Sequence, residues 1–376
     1  MKIRLLILFV SIFLLVSACV KQDEVPSNFE QAVNDITAKY APDKRISLFN
    51  VEYTFEGSIL KINAETDIYD AIEDLKSAAD NLLDKDTYEL NISKLPSPEL
   101  GDSIYAIVNV SVANMRKTPS HFAELIDQSL MGSTLKILKK KGGWYLVQTP
   151  YNYLGWTGSP SFVRCTKNKL NKWENSKKIQ VVKNYAQVLS SKIQSAYTLC
   201  DAVFGSLLKH EETSGSWYKV TLPDGKSGFI EKKYCKIFTA PTTEAIDFSK
   251  LLLTAKSFLG IPYLWGGNSS KGFDCSGFSQ TVYKSQGLLL PRDANMQVNL
   301  GDEIKPNEDF GNVRKGDLVF FGSNKDRITH VAISLGGPLF IHSSGTVHIN
   351  SFNKDHDNFD KYRFETLRYI KRIVKE

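Results

Sequence analysis

The segment Ile261-Pro262-Tyr263-Leu264-Trp265-Gly266-Gly267 reads as a loop, and Phe273-Asp274-Cys275-Ser276-Gly277-Phe278 shortly after it opens a helix that ends near Gly287. Ahead of the loop, Asp247 or Ser249 can cap a helix through Phe258 that stops at Gly260. Asp274 is a candidate N-cap, which places Cys275 in the first helical turn. There the unpaired N–H groups and the helix dipole favour the thiolate, the nucleophilic form. A cysteine alone is weak evidence, because buried cysteine commonly serves as a small hydrophobe.

Two histidines add weight. The chain has six: His121, His210, His330, His342, His348 and His356. His330 opens the alternating run Thr329–Leu335, which predicts a strand. His342 closes the next run, Leu339–His342, before a turn at Ser343-Ser344-Gly345. Neighbouring antiparallel strands would set the two imidazoles side by side. Thiol catalysis needs a base within reach of the sulfur and a third polar group that holds the base in the right tautomer. Cys275, His330 and His342 can fill these roles.

The motifs Pro262-Tyr-Leu-Trp-Gly-Gly, Phe-Asp-Cys275-Ser-Gly-Phe, Pro291-Arg-Asp293, Gly316-Asp-Leu-Val-Phe-Phe-Gly322, His330-Val-Ala-Ile and Ile-His342-Ser-Ser-Gly follow one another at characteristic spacing. In that order and spacing, residues 245–376 resemble the NlpC-type cell-wall cysteine peptidases. The resemblance implies a circularly rearranged papain-like α+β domain, with the nucleophile helix packed on an antiparallel sheet. It implies Cys275 as nucleophile, His330 as general base and later acid, and His342 as the orienting third member. Tyr263 stands twelve residues before the cysteine. Its hydroxyl, with the backbone N–H of Cys275, is similar to the family's oxyanion donors.

Upstream, the chain repeats itself. Gly132-Ser-Thr-Leu-Lys136 matches Gly205-Ser-Leu-Leu-Lys209 at an offset of 73, and Trp144-Tyr145 matches Trp217-Tyr218 at the same offset. Val147 and Val220, then Gly155-Trp156 and Gly228-Phe229, continue the match. Turn signals such as Lys141-Gly142-Gly143 and Pro223-Asp224-Gly225 separate short alternating runs. Two copies of about 65 residues predict two small β-barrels, and they resemble bacterial SH3-like domains. The first copy carries extra polar residues, Arg116, His121, Glu124 and Tyr151-Asn-Tyr153, so it is expected to help form a site while the second packs. Before the repeat, Phe29–Ala41 and Thr66–Leu83 have helical spacing and Ile59–Ala64 reads as a strand, which suits a small α+β packing domain. The expected fold class is therefore α+β: a papain-like cysteine peptidase domain behind two SH3-like β-barrels and a small α+β N-terminal domain.

That arrangement resembles the multidomain γ-D-glutamyl–diamino-acid endopeptidases, with two SH3-like domains ahead of the peptidase. In that branch the first barrel roofs the cleft and blocks one end, so that only a peptide with a free N-terminal L-Ala fits. Asp293, eighteen residues after Cys275, matches the acid that binds the ammonium. Glu124 and Tyr153 are the candidates from the barrel, and Ser276 is a further substrate-binding candidate. A charge in a closed cleft calls for such partners, because leaving it unpaired is costly.

Composition narrows the remaining classes. Of 376 residues, 42% are hydrophobic and 23% charged, which argues against wholesale disorder and a polytopic membrane protein. The formal charge of +6 lacks the bias or basic stripe of nucleic-acid binding, so no nucleic acid is expected. Lys2 and Arg4 precede the apolar run Leu5–Val16, too short to span a bilayer comfortably, and Val16-Ser17-Ala18-Cys19 resembles a lipobox. That resemblance implies cleavage before Cys19 and acylation there, tethering the protein outside the cytoplasm at a membrane of the cell envelope. The expected division is a signal over 1–18, the N-terminal domain over 19–100, SH3-like domains over 101–170 and 171–242, and the peptidase domain over 243–376. The expected partners are peptidoglycan stem peptides or muropeptides and, through the lipid anchor, a membrane; the protein is expected to be a monomer. No dense cluster stands at metal-ligand spacing, and neither metal nor cofactor is expected. Cys165, Cys200 and Cys235 fall in or beside barrel strands, where core burial or one disulfide would suit them. Two other functions remain open: a tethered wall-binding protein with a vestigial peptidase domain, and a thiol amidase cutting a different peptidoglycan amide.

Overall fold

The structure is a computed structural model that describes residues 24–239 and 246–374. The expected signal and Cys19, the expected site of acylation, lie outside the described residues. Among the described residues no helix is long and apolar enough to cross a membrane.

Two helices, Ser27–Tyr40 and Tyr69–Leu82, pack on a three-stranded sheet of Phe49–Glu56, Ile59–Thr66 and Tyr88–Lys94. Phe29, Val33 and Ile36 on one helix, and Ala71, Ile72, Leu75 and Ala79 on the other, recur at helical spacing and form the buried faces. The second helix starts at Tyr69 rather than Thr66. Thr66 still pairs with Phe49 in the sheet, and its hydroxyl accepts the N–H of Ile68 in the turn. The strands Phe49–Glu56 and Tyr88–Lys94 were not among the expectations. Their signal is the alternation of Phe49, Val51, Tyr53 and Phe55, and of Tyr88, Leu90 and Ile92.

The repeat holds strand by strand. The first seven-stranded sheet runs Phe162–Cys165, Tyr105–Val108, Thr134–Lys141, Trp144–Gln148, Leu154–Gly158, Val112–Arg116, Leu125–Leu130. The second runs Cys235–Ile237, Lys178–Val181, Leu207–Ser214, Trp217–Thr221, Ser227–Glu231, Ala186–Leu189, Thr198–Ala202, the same order one repeat later. A helix, Lys167–Glu174, joins the two sheets, and its Trp173 indole donates to Gly132 O at 3.0 Å. Cys165, Cys200 and Cys235 are free thiols, with Cys165 buried. The two sheets are the two small barrels expected from the repeat, ahead of the last part of the chain.

In the last part of the chain, Asp247 caps the helix Phe248–Ser257 by accepting the N–H of Lys250. Asp274 caps Cys275–Lys284 by accepting the N–H of Gly277 at 2.6 Å. A six-stranded antiparallel sheet follows, ordered Asp302–Glu303, Leu367–Arg372, Leu318–Gly322, Ile328–Gly336, Leu339–Ser344, Thr346–Ser351. The Cys275 helix lies against it. Phe273, Phe278 and Val282 meet Phe320, Val331, Ile333 and Ile341 in one core. Each large apolar side chain fully buried there contributes about 1.5–3 kcal/mol.

Nine of that helix's ten residues are buried, which one sheet face cannot achieve. The loop before it and the first barrel cover its other sides. A Cβ on Gly277 would fall 2.1 Å from Gly267 O, so only glycine lets the loop cross the helix there. Gly266 has φ +73°, and a Cβ on it would lie 2.3 Å from Leu125 O in the first barrel. These contacts bring the barrel to the edge of the cysteine's groove.

Candidate active site

Cys275 is the first residue of its helix and is buried. The backbone N–H groups of Val331 and Ser276 point at its sulfur and favour the thiolate. Burial, joined by the negative charge of Asp274, outweighs them and pushes the thiol up to about 12. The thiolate expected from the helix start is therefore not the favoured resting form of this buried thiol.

His330 and His342 stand on adjacent antiparallel strands, where Ile333 pairs with Ile341. The expected neighbours meet: His330 Nε2 and His342 Nδ1 are 2.8 Å apart, with the rings perpendicular. Behind them, His342 Nε2 lies 2.9 Å from Asn350 Oδ1, on the next strand. Asn350 Nδ2 donates to Asn358 O, which fixes the oxygen toward the histidine. Burial holds His330 well below its ordinary value and lowers His342 to about 3, so both rings are neutral.

One tautomer then satisfies the chain. His342 donates from Nε2 to Asn350 and accepts at Nδ1 from the Nε2–H of His330. The lone pair of His330 is left on Nδ1, the nitrogen not engaged by His342. The sulfur's contact with the N–H of Val331 sets Cys275 against the residue next to His330. Asn350 was not anticipated from sequence. Its place in the strand paired with Leu339–Ser344 is a matter of register, not of motif.

A cleft of about 830 Å³ opens over Cys275. Tyr263, Cys275, Ser276, Asp293, Glu124 and Tyr153 all line it, so the structure brings these expected residues together around one space. Tyr263 is pinned by its N–H to Gly345 O at 2.7 Å and a bridge to Phe273. Burial and the neighbouring Cys275 raise its pKa, so the hydroxyl keeps its proton and can donate. Ser276 is differently placed from a free substrate ligand. Its hydroxyl is taken up by Asp274 Oδ1 at 3.2 Å and Arg292 Nη1 at 3.1 Å.

In the same lining, Tyr153 donates its hydroxyl to Asp293 Oδ2 at 3.0 Å. Glu124 sits at the rim, where the indole N–H of Trp265 donates to it at 3.0 Å. Asp293 also accepts from Arg45 of the N-terminal domain, a partner the sequence did not indicate. The cleft-lining residues come from the N-terminal domain, the first barrel and the last part of the chain, and none from the second barrel. The expected asymmetry between the two copies is present.

Beneath the cleft lies a second feature absent from the expectations. Arg292, 1% exposed, reaches Asp274 through Nη1 and Nη2 at 3.1 and 2.6 Å, and Asp127 of the first barrel through Nε at 2.7 Å. Asp127 is wholly buried and also accepts from Asn268 at 2.7 Å and from the Tyr151 hydroxyl. Burial pushes Asp127 up to about 6 against the pull of Arg292. The barrel thus inserts a carboxylate into the cluster that holds the cap of the Cys275 helix. Among the described residues, no group of three or more His, Cys, Asp or Glu side chains is arranged to hold a metal ion.

Comparison with known proteins agrees with this architecture. Residues 260–368 match the NlpC/P60 family, and residues 111–161 match the bacterial SH3 domain. The chain is 31% identical over 231 residues to the γ-D-glutamyl-L-lysine dipeptidyl-peptidase of Bacillus cereus, covering 58% of this chain and 67% of the relative. It is 31% identical over 269 residues to dipeptidyl-peptidase 6 of Lysinibacillus sphaericus, covering 67% of this chain and 93% of that one. A crystal structure of an NlpC/P60 family protein from Bacillus cereus superposes with a TM-score of 0.62 at 25% identity, over 72% of this chain and 100% of that chain. With a curated relative matched along nearly its whole length, the chain belongs to the NlpC/P60 family of cysteine peptidases and carries SH3-like domains ahead of its peptidase domain.

Proposed function

We propose that the protein hydrolyses the γ-D-glutamyl–diamino-acid amide of peptidoglycan stem peptides that begin with a free L-Ala, in cell-wall turnover or recycling. The observation that carries this is the cleft over Cys275, in whose lining the carboxylate of Asp293 and the hydroxyl of Tyr153 meet. An acidic group in that lining suits a terminal ammonium, which needs a partner of opposite charge. The names of the relatives from Bacillus cereus and Lysinibacillus sphaericus, both dipeptidyl-peptidases, support removal of a dipeptide from an N-terminus.

In this mechanism the Cys275 proton passes to Nδ1 of His330 as the sulfur attacks the amide carbonyl, since both groups start neutral. Negative charge develops on the carbonyl oxygen and is met by the Tyr263 hydroxyl and the N–H of Cys275, each such donor contributing about 3 kcal/mol. His330, now cationic and steadied by His342 and Asn350, gives its proton to the departing amine. The C–N bond breaks and a thioester remains. Water then loses a proton to His330, adds to the thioester, and the released thiolate regains the proton. The products are L-Ala–D-Glu and a peptide with a free diamino-acid amine.

The domain division stated above and anchoring through an acylated Cys19 at the envelope belong to the same proposal. The test is a digest of L-Ala–γ-D-Glu–diaminopimelate beside its N-acetylated form. Cleavage of the free-amine peptide with little or no cleavage of the acetylated one is expected. Equal cleavage of both removes the amine-recognition claim.

A further inference from the structure

The N-terminal domain lies outside both matched segments, yet it reaches the cleft. Its loop after the first helix lies along the first barrel, with the N–H of Leu154 donating to Arg45 O at 2.7 Å. From that seat Arg45 Nη1 donates to Asp293 Oδ2 at 2.6 Å and to Asn295 Oδ1 at 2.9 Å. The other side of the guanidinium is held by Asp43, from Nε at 2.9 Å and from Nη2 at 2.6 Å. Asp293 Oδ2 therefore already accepts two donors, Arg45 and Tyr153, at the place where a terminal ammonium would bind.

We propose that Arg45 is a specificity residue: it occupies the cation seat on Asp293 and yields it when the peptide's α-ammonium binds, so that the N-terminal domain sets affinity for amine-terminated substrates. This inference rests on the amine-recognition function proposed above. Two like charges at one carboxylate repel each other, so bound ammonium and seated guanidinium compete. Displacement does not strand the arginine, because its bonds to Asp43 can persist. Arg45 and Asp293 are each only partly buried, so the side chain has room to withdraw.

The balance between Asp43 and Asp293 gives a test with opposite signs. KM and kcat are measured for the free-amine tripeptide on the full chain, with the N-acetylated peptide in parallel. Arg45→Gln frees Asp293, and KM for the free-amine peptide is expected to fall about fivefold or more, with kcat within about twofold. Asp43→Asn leaves the guanidinium with Asp293 as its one carboxylate, and KM is expected to rise by a similar factor. A loop that only supports the fold would move both variants the same way, and that result overturns the proposal. So does an unchanged KM in Arg45→Gln while the wild type still discriminates against the acetylated peptide. Loss of that discrimination in the wild type itself marks failure of the underlying function instead, and the proposal falls with it. If Arg45→Gln does not fold, Asp43→Asn decides alone, and KM must rise.

Discussion

Asn350 has the clearest consequence at the level of single residues. It fixes the proton on His342 Nε2 and so, two bonds further, the lone pair on His330 Nδ1. Asn350→Leu removes the acceptor and lets His342 take the other tautomer. A wrong tautomer at a triad's base can cost about 10⁴ in kcat, and one step further out about 10- to 100-fold is expected. Steady-state kcat, with thermal unfolding in parallel, checks this; a folded variant with wild-type kcat contradicts it. The same pair predicts a pH dependence of stability. Both histidines have depressed values in the folded state, so below about pH 6.5 protons bind the unfolded chain preferentially. Each then costs about 1.4 kcal/mol of stability per pH unit, and for His342 this continues until about pH 3. Below about pH 6, Asp127, whose folded value is raised, takes up a proton in the native state and offsets one of them. Urea unfolding at pH 7.5 and pH 6 should show the loss. Equal stability at the two would mean the imidazoles are not held neutral.

Between elements, the contact that matters most joins the strand Leu125–Leu130 of the first barrel to the start of the Cys275 helix. Asp127→Asn keeps the shape of the side chain and removes the charge that shares Arg292 with Asp274. Breaking one arm of a buried charge cluster costs about 3 kcal/mol or more. Urea unfolding should report that loss, and a change below about 1 kcal/mol would show the barrel to be merely adjacent. Local chemistry made much of the fold legible in advance. The Asp274 cap, the alternation around His330 and His342, and the repeat at Trp144 and Trp217 are all short-range patterns, and each took the expected form. Asp127, Arg45 and Asn350 escaped notice because their partners are 165, 248 and 8 positions away, across elements whose register no local pattern states. The resting charge of Cys275 escaped for a related reason. A helix start argues for thiolate, but the burial that overrides it comes from a loop and a barrel far along the chain.

Taken whole, the molecule builds one cleft from three of its parts and leaves the second barrel out of it. The papain-like part supplies the cysteine and its imidazoles; the first barrel and the N-terminal domain contribute to the lining of the same cleft. Under the proposed function, the position of the cut follows from how far the amine-binding residues stand from the sulfur. Mass analysis of the products from L-Ala–γ-D-Glu–diaminopimelate, with wild type and Cys275→Ala side by side, tests this most directly. The account predicts L-Ala–D-Glu and free diaminopimelate from the wild type, and intact substrate with a folded Cys275→Ala. Release of free L-Ala, or equal cleavage by Cys275→Ala, would contradict it.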